Sequence, residues 1–154
     1  MKREEIPRVY EIERRSFDYP FSESILYYFY DAEPSLCFTV YYNGELVGFL
    51  LGGTTSTKNQ AHILSIAIDE RYRRQKMGER LMRFFIEYCK NRDFNSIILE
   101  VKVTNVPAIR LYQKLEFKII KTVRKYYEDN TDAYVMLLNL DSENNNGFSE
   151  GEKV

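Results

Sequence analysis

The chain has 154 residues, and its 22 Lys and Arg nearly balance 23 Asp and Glu for a net charge of −1, so charge alone gives no reason to expect a nucleic-acid or membrane partner. A 44% apolar fraction rich in Tyr and Phe suits one domain with a core of its own, while two cysteines and one histidine exclude a disulfide framework and a soft-ligand metal centre. The opening "MKREEIPRVYEIE" lacks an apolar signal core and no window approaches 18 uninterrupted apolar residues, so a soluble, cytoplasmic protein is expected.

Along the chain, Pro7 suits a first helical turn, and Val9, Tyr10, Ile12, Glu13 and Phe17 form a partial helical stripe. Ser22 can cap a second helix, "SESILYYFYD". Then "LCFTVYYNGELVGFLLGG" sets Asn43-Gly44 between two β-rich runs, the signature of a hairpin. "AHILSIAID" reads as a strand, and "KMGERLMRFFIEYCKNR" as a helix with Met77, Leu81, Phe84, Phe85, Tyr88 and Cys89 on one face. "NSIILEVKV" has the near-continuous apolar character of a buried central strand, and "VPAIRLYQKLEF" is a short helix with Pro107 in its first turn. Two further strands, "KIIKTVRKYY" and "DAYVMLLNL", flank the turn-like "EDNT". The order predicts an α/β domain over residues 1–140 with one mixed parallel and antiparallel sheet, followed by a polar, flexible tail over 141–154.

Two stretches invite chemistry. "DERYRRQKMGERLMRFF" concentrates Arg71, Arg73, Arg74, Lys76 and Arg80 at a strand-to-helix junction. Such a run can be a solvated helix start, but unpaired N–H groups and the positive end of the helix dipole can also hold a phosphate there. "LEVKVTNVPAIRLYQKLEF" carries Glu100 on a mostly apolar strand, where its carboxylate points into a cleft or is paired in the core. Asn105 reads as a helix cap and Tyr112 as a core phenol, with ligand contact open for both.

"YRRQKMG" resembles the acyl-CoA-binding motif of the GNAT acetyltransferase superfamily, R/Q-x-x-G-x-G/A, with Arg73 first and Gly78 last. "LEVKVTNVPAIRLYQKLEF" with the later "YYEDNTDAYVML" is similar to the second half of RimI and Ard-type N-terminal acetyltransferases, including archaeal members, and the likeness runs from about Ile12 to Leu138. Three departures stand out. Lys76 replaces the motif's first glycine, where a left-handed backbone would be costly for lysine. Glu116 replaces the glycine of "K-x-G-F" and is expected to strain its turn. The family's first strand is expected to be short or missing, because only "MKREEI" precedes Pro7.

The resemblance implies the GNAT fold, with a V-shaped splay between two central parallel strands, and transfer of acetyl from acetyl-CoA to the α-amino group of a protein or peptide N-terminus. It places the cofactor on Ile66, Ala67 and Ile68 of one strand, on Arg73, Arg74, Gln75, Lys76, Met77, Gly78 and Glu79 of the loop and helix start, and on Asn105 and Tyr112. Glu100 matches the general base, His62 is its alternative or partner, and Tyr112 matches the proton donor to the leaving thiolate. Tyr19, Pro20, Phe21, Tyr126 and Tyr127 are expected to wall the acceptor groove, their other reading being aromatics packed at turns. Lysine or small-amine acetylation on the same scaffold, and a non-catalytic acyl-CoA-binding subunit, are the alternatives. Association with a ribosome or an auxiliary subunit stays open.

Overall fold

A computed structural model of the chain describes residues 1–141, so the expected tail lies, apart from Asp141, outside the described residues. Helices α1 (Ile6–Ser16) and α2 (Glu23–Ala32) come first, then the hairpin β1 (Cys37–Tyr42) and β2 (Glu45–Thr54). They are followed by β3 (Gln60–Ile68), α3 (Met77–Asn91), β4 (Ser96–Lys102), α4 (Val106–Lys114), β5 (Lys118–Val123) and β6 (Ala133–Asn139). The local signals act as their chemistry requires. Ser22 Oγ accepts from Ile25 N at 3.2 Å to cap α2. Asn43 and Gly44 both take positive φ, 49° and 79°, which is what the tight hairpin needs.

The strands form one sheet in the order β1-β2-β3-β4-β6-β5. Every neighbouring pair is antiparallel except β3 and β4. Each face carries its own apolar cluster. One joins α1 and α2 to the sheet through Ile6, Val9, Ile12, Leu26, Phe49 and Leu51. The other packs α3 and α4 through Met82, Phe85, Cys89, Tyr112 and Phe117. Burial of these side chains, at roughly 1.5–3 kcal/mol each, is the main favourable term holding the layers together.

The structure corrects two expectations. The buried stripe of α3 is Leu81, Met82, Phe85, Ile86 and Cys89, whereas Phe84 is 52% exposed. Phe84 and Tyr88 instead meet Phe38 at the rim, with ring centroids at 5.2 and 4.9 Å. The strand expected through Tyr127 ends at Val123, because Arg124–Tyr127 turn away from the sheet. The first strand, expected to be short or missing, is indeed missing among the described residues: Arg3–Glu5 form a single 3-10 turn, and β1 is the sheet edge.

The turn after α4 shows how the fold accommodates Glu116. Phe117 N donates to Tyr112 O at 2.9 Å and Glu116 N to Gln113 O at 3.0 Å, the paired bonds of a Schellman cap. The Tyr112 and Phe117 rings, 6.0 Å apart, supply its usual apolar contact. This closure requires a left-handed residue, and Glu116 stands there with φ 74°. A β-carbon in that region costs about 1–2 kcal/mol, and a carboxylate sits poorly at the negative end of a helix. Glu116→Gly is therefore expected to stabilise the domain by about 1 kcal/mol, a rise of roughly 2–4 °C in Tm for a chain of this size. Thermal unfolding measures it; an unchanged or lower Tm would show that the turn is not strained.

Candidate active site

The site begins with a fault in β3. Leu51 of β2 faces Ser65, but the next residue, Gly52, faces Ile63, so Leu64 is one residue too many. A bulge of this kind bends and twists its strand. The side chains change face across it: Ala61 and Ile63 pack with the α3 cluster, whereas Ser65 bonds Glu13 of α1 and Ala67 joins the α1 cluster. Parallel pairing with β4 runs only through Gln60–Ile63 against Ser96–Leu99. Beyond Ile63 the two strands part, and the edge of β3 facing β4 has no strand beside it.

A cavity of about 550 Å³ opens at this gap, within the range typical of ligand sites. It is lined by Ile66, Ala67 and Ile68 of β3, by Arg73, Arg74, Lys76, Met77, Gly78 and Glu79, and by Asn105 and Tyr112. Gln75 is not among the lining residues. Among the lining residues that sequence reasoning did not assign, Ser16 and Phe17 at the end of α1 complete one wall.

The basic end of the cavity is built at the start of α3, where N–H groups lack helical partners and the dipole is positive. Lys76 immediately precedes the helix with φ 58°, so the position keeps the left-handed geometry although it is not glycine. Arg74 is left-handed as well, at φ 68°. Arg73 does not project freely: its Nε donates to Ile68 O at 2.9 Å and its Nη2 to Ser16 Oγ at 3.1 Å, tying the loop to β3 and α1. Glu79 would oppose an anion, but Lys114 and Arg83 hold its carboxylate at 2.8 and 3.2 Å and lower its pKa. A β-carbon on Gly78 would meet only Ile68 Cγ1, at 3.8 Å, so its lack of a side chain leaves room for a ligand rather than for the protein. Cations, free N–H groups, an unpaired strand edge and a glycine cradle together fit a long ligand with a phosphate end and an amide-bearing arm.

On the α1 side of the sheet lies a second group of residues, none of which lines the cavity. His62 Nε2 lies 2.7 Å from Glu100 Oε2, with both side chains about one-fifth exposed. Lys102, two residues further along β4, bonds Asp129 at 3.1 Å and lies over the rings of Tyr127 and Tyr19, at 5.1 and 5.5 Å. Tyr126 packs edge-to-face on Tyr127 at 4.9 Å. Burial and then Glu100 raise the Tyr126 pKa, and burial also raises that of Tyr127. Tyr19, Tyr126 and Tyr127 thus surround Glu100 and Lys102. Phe21, beyond Pro20, turns inward instead and packs edge-on against Phe29 of α2, centroids 5.5 Å apart.

Tyr112 lies on the opposite side, on α4, where it lines the cavity and is 9% exposed. Burial pushes its phenol up to about 12, so it keeps its proton at physiological pH. Asn105 caps α4, its side chain accepting from Ala108 N at 3.3 Å, and it also lines the cavity.

Two supporting clusters have no local signature in sequence. Asp69, 7% exposed at the end of β3, accepts from Arg71 N at 3.0 Å and from Arg8 Nη2 at 2.9 Å. These guanidinium contacts, Arg71 foremost, hold its carboxyl well below the usual range and anchor the basic loop to α1. Glu13, 2% exposed, accepts from Ser65 Oγ at 3.0 Å. Burial pushes its carboxyl up to about 7, against the hydrogen bonds from Ser65 and the Phe21 backbone.

Lys76→Gly should move stability and ligand affinity in opposite directions. Relief of the left-handed backbone stabilises by up to about 1 kcal/mol. Loss of the ammonium weakens CoA binding roughly three- to tenfold. Thermal unfolding and calorimetric CoA titration check both, and an unchanged affinity in the folded variant would leave the ammonium out of the site.

Comparison with known proteins agrees with this geometry. Residues 6–117 match the model of the acetyltransferase (GNAT) family. The chain is 31% identical over 137 residues to the ribosomal protein bS18-alanine N-acetyltransferase of Escherichia coli, covering 87% of this chain and 90% of that protein. It is 35% identical over 123 residues to N-alpha-acetyltransferase 30 of Dictyostelium discoideum, covering 79% of this chain and 66% of that relative. The structure of Ard1 from Thermoplasma volcanium superposes with a TM-score of 0.86 at 31% identity, covering 90% of this chain and 93% of that one. The split parallel strands, the basic helix start and these matches place the chain in the GNAT acetyltransferase family.

Proposed function

We propose that the protein transfers the acetyl group of acetyl-CoA to the α-amino group of protein N-termini, a reaction in the cytoplasm that needs neither nucleic acid nor membrane. The observation that carries this reading is the gap between β3 and β4, which puts the Glu100–His62 pair on one face of the sheet and Tyr112 on the other. The relatives named as N-terminal acetyltransferases support it. Lys76 and Glu116 do not argue for a non-catalytic subunit, since both keep the backbone geometry of the glycines they replace.

Acetyl-CoA supplies an already activated acyl group, so the chain has no covalent intermediate to make. Arg74, Lys76 and the first N–H groups of α3 would hold the phosphate end, and the free edge of β3 beyond Ile63 would hold the arm and orient the thioester carbonyl. The acceptor amine enters between Tyr19, Tyr126 and Tyr127. Glu100, oriented by His62, takes a proton from the amine as the C–N bond forms. The C–S bond breaks with its electron pair on sulfur, and Tyr112 donates a hydrogen bond to the departing thiolate. With its phenol pushed up to about 12, Tyr112 serves the sulfur more as a donor than as a free acid.

An α-amine, with a pKa near 7.7–8.0, needs less basic help than a lysine amine near 10.4. Peptides with free N-termini should therefore be acetylated, and N-terminally blocked lysine peptides and small amines should not. Tyr112→Phe is expected to reduce turnover tenfold to a hundredfold. Glu100→Gln should lose most activity near pH 6.5 and least above the amine's own pKa, where the acceptor is already neutral. Radiolabel transfer at a series of pH values tests these points. Lysine peptides as the better acceptors would overturn the substrate assignment, and a loss independent of pH would remove Glu100 as base.

A further inference from the structure

Glu13 occupies a position that an apolar residue would fill at less cost. The other inward residues of α1 are Ile6, Val9 and Ile12, and Glu13 is as buried as they are. A carboxyl group taken out of water is expensive unless it is paired, and neither hydrogen-bond partner of Glu13 is a cation. Its two partners belong to different halves of the site. Ser65 donates to both carboxylate oxygens, at 3.2 and 3.0 Å, and stands beside Leu64 in the bulge of β3, one residue before the cavity-lining Ile66. The Phe21 backbone, at the end of the segment that joins α1 to α2, lies close enough to the carboxyl group to lower its pKa. In that segment Phe17 lines the cavity and Tyr19 faces Lys102.

We propose that Glu13 is a positioning residue of the acceptor site: its carboxyl group fastens the segment 17–22 to Ser65 in the bulge of β3. The inference rests on the acceptor wall assigned above. The two partners differ in how much they need Glu13. Ser65 sits in a strand whose backbone is already fixed by β2, with Leu51 opposite it and Leu50 opposite Ile66. The segment 17–22 lies between two helices and has no ladder of its own. Loss of the carboxyl group therefore frees Tyr19 and its neighbours in the acceptor wall, while Phe17, whose N–H donates to the backbone Glu13 O at 3.2 Å, and the cofactor strand stay in place. It acts on the Michaelis constant of the peptide rather than on that of acetyl-CoA.

Steady-state kinetics with an N-terminal peptide and acetyl-CoA test this. Glu13→Leu, similar in size but unable to accept a hydrogen bond, is expected to raise the peptide KM about fivefold or more and to leave the acetyl-CoA KM within about twofold. Glu13→Gln keeps a carbonyl acceptor and should restore most of the loss. Ser65→Ala removes one tether and should raise the peptide KM less, and the double variant Glu13→Leu/Ser65→Ala should be no worse than Glu13→Leu alone. Tyr127→Ala serves as the control for the wall. If Tyr127→Ala raises the peptide KM but Glu13→Leu does not, or if Glu13→Leu raises both KM values equally, the inference is overturned while the acceptor site stands. Should Glu13→Leu not fold, an unchanged peptide KM in Ser65→Ala overturns it in the same way. If no variant, Tyr127→Ala included, moves the peptide KM, the acceptor wall itself is misplaced and the inference falls with it.

Discussion

Two parallel strands that share a ladder for four residues and then part are the constraint on which the rest of the site depends. β3 cannot continue beside β4 because Leu64 is inserted against β2, and the resulting bend carries its second half away. A parting of this kind would normally expose backbone groups at a sheet centre, where leaving them unpaired is costly. The protein thus keeps a strip of hydrogen-bonding capacity along β3 beyond Ile63. In the proposed complex, a ligand arm laid along it would complete the ladder. In the proposed reaction the same opening would let an amine on the α1 side and the Tyr112 phenol on the α4 side meet at one reacting centre.

Around that gap, backbone conformation is set by neighbours rather than by the residues that adopt it. Lys76 and Glu116 both stand in the left-handed region, and each has a compensating reason to be held there. Lys76 lines the cavity, with Arg73 and Asp69 bracing its loop through Ile68 O, Ser16 and Arg8. Glu116 closes a cap that fixes the last turn of the helix bearing Tyr112. Costs of this size are tolerable beside the apolar burial on both faces, and they fall at the functional end of the domain, where local strain tends to collect.

Much of this was legible in the residues. The Asn43-Gly44 turn, the Ser22 cap, the alternation of strand and helix after Gln60, and the pairing of "YRRQKMG" with "LEV…N…A-I-R-L-Y" lead to the right fold; the residues expected to hold the cofactor, Gln75 apart, line one cavity, whereas Glu100, His62 and the expected acceptor wall lie outside its lining. What escaped depends on contacts distant in the chain. Nothing near Asp69 announces Arg8, and nothing near Glu13 announces Ser65, since each partner lies more than fifty residues away. The bulge at Leu64 is invisible in "AHILSIAID", because apolar residues occupy both faces of a central strand and hide the change of side. The α3 stripe was misread for a related reason: aromatic residues satisfy a helical pattern whether they reach the core, like Phe85, or stop at its rim, like Phe84.

The central claim is that the free edge of β3 and the start of α3 form one ligand surface. Amide hydrogen exchange, followed residue by residue with and without CoA, addresses it most directly. Slower exchange on CoA addition is expected within Leu64–Ile68 and Met77–Glu79, with β1 unaffected at the far edge of the sheet. Unchanged exchange in both segments under saturating CoA, or protection confined to another part of the sheet, would contradict the account.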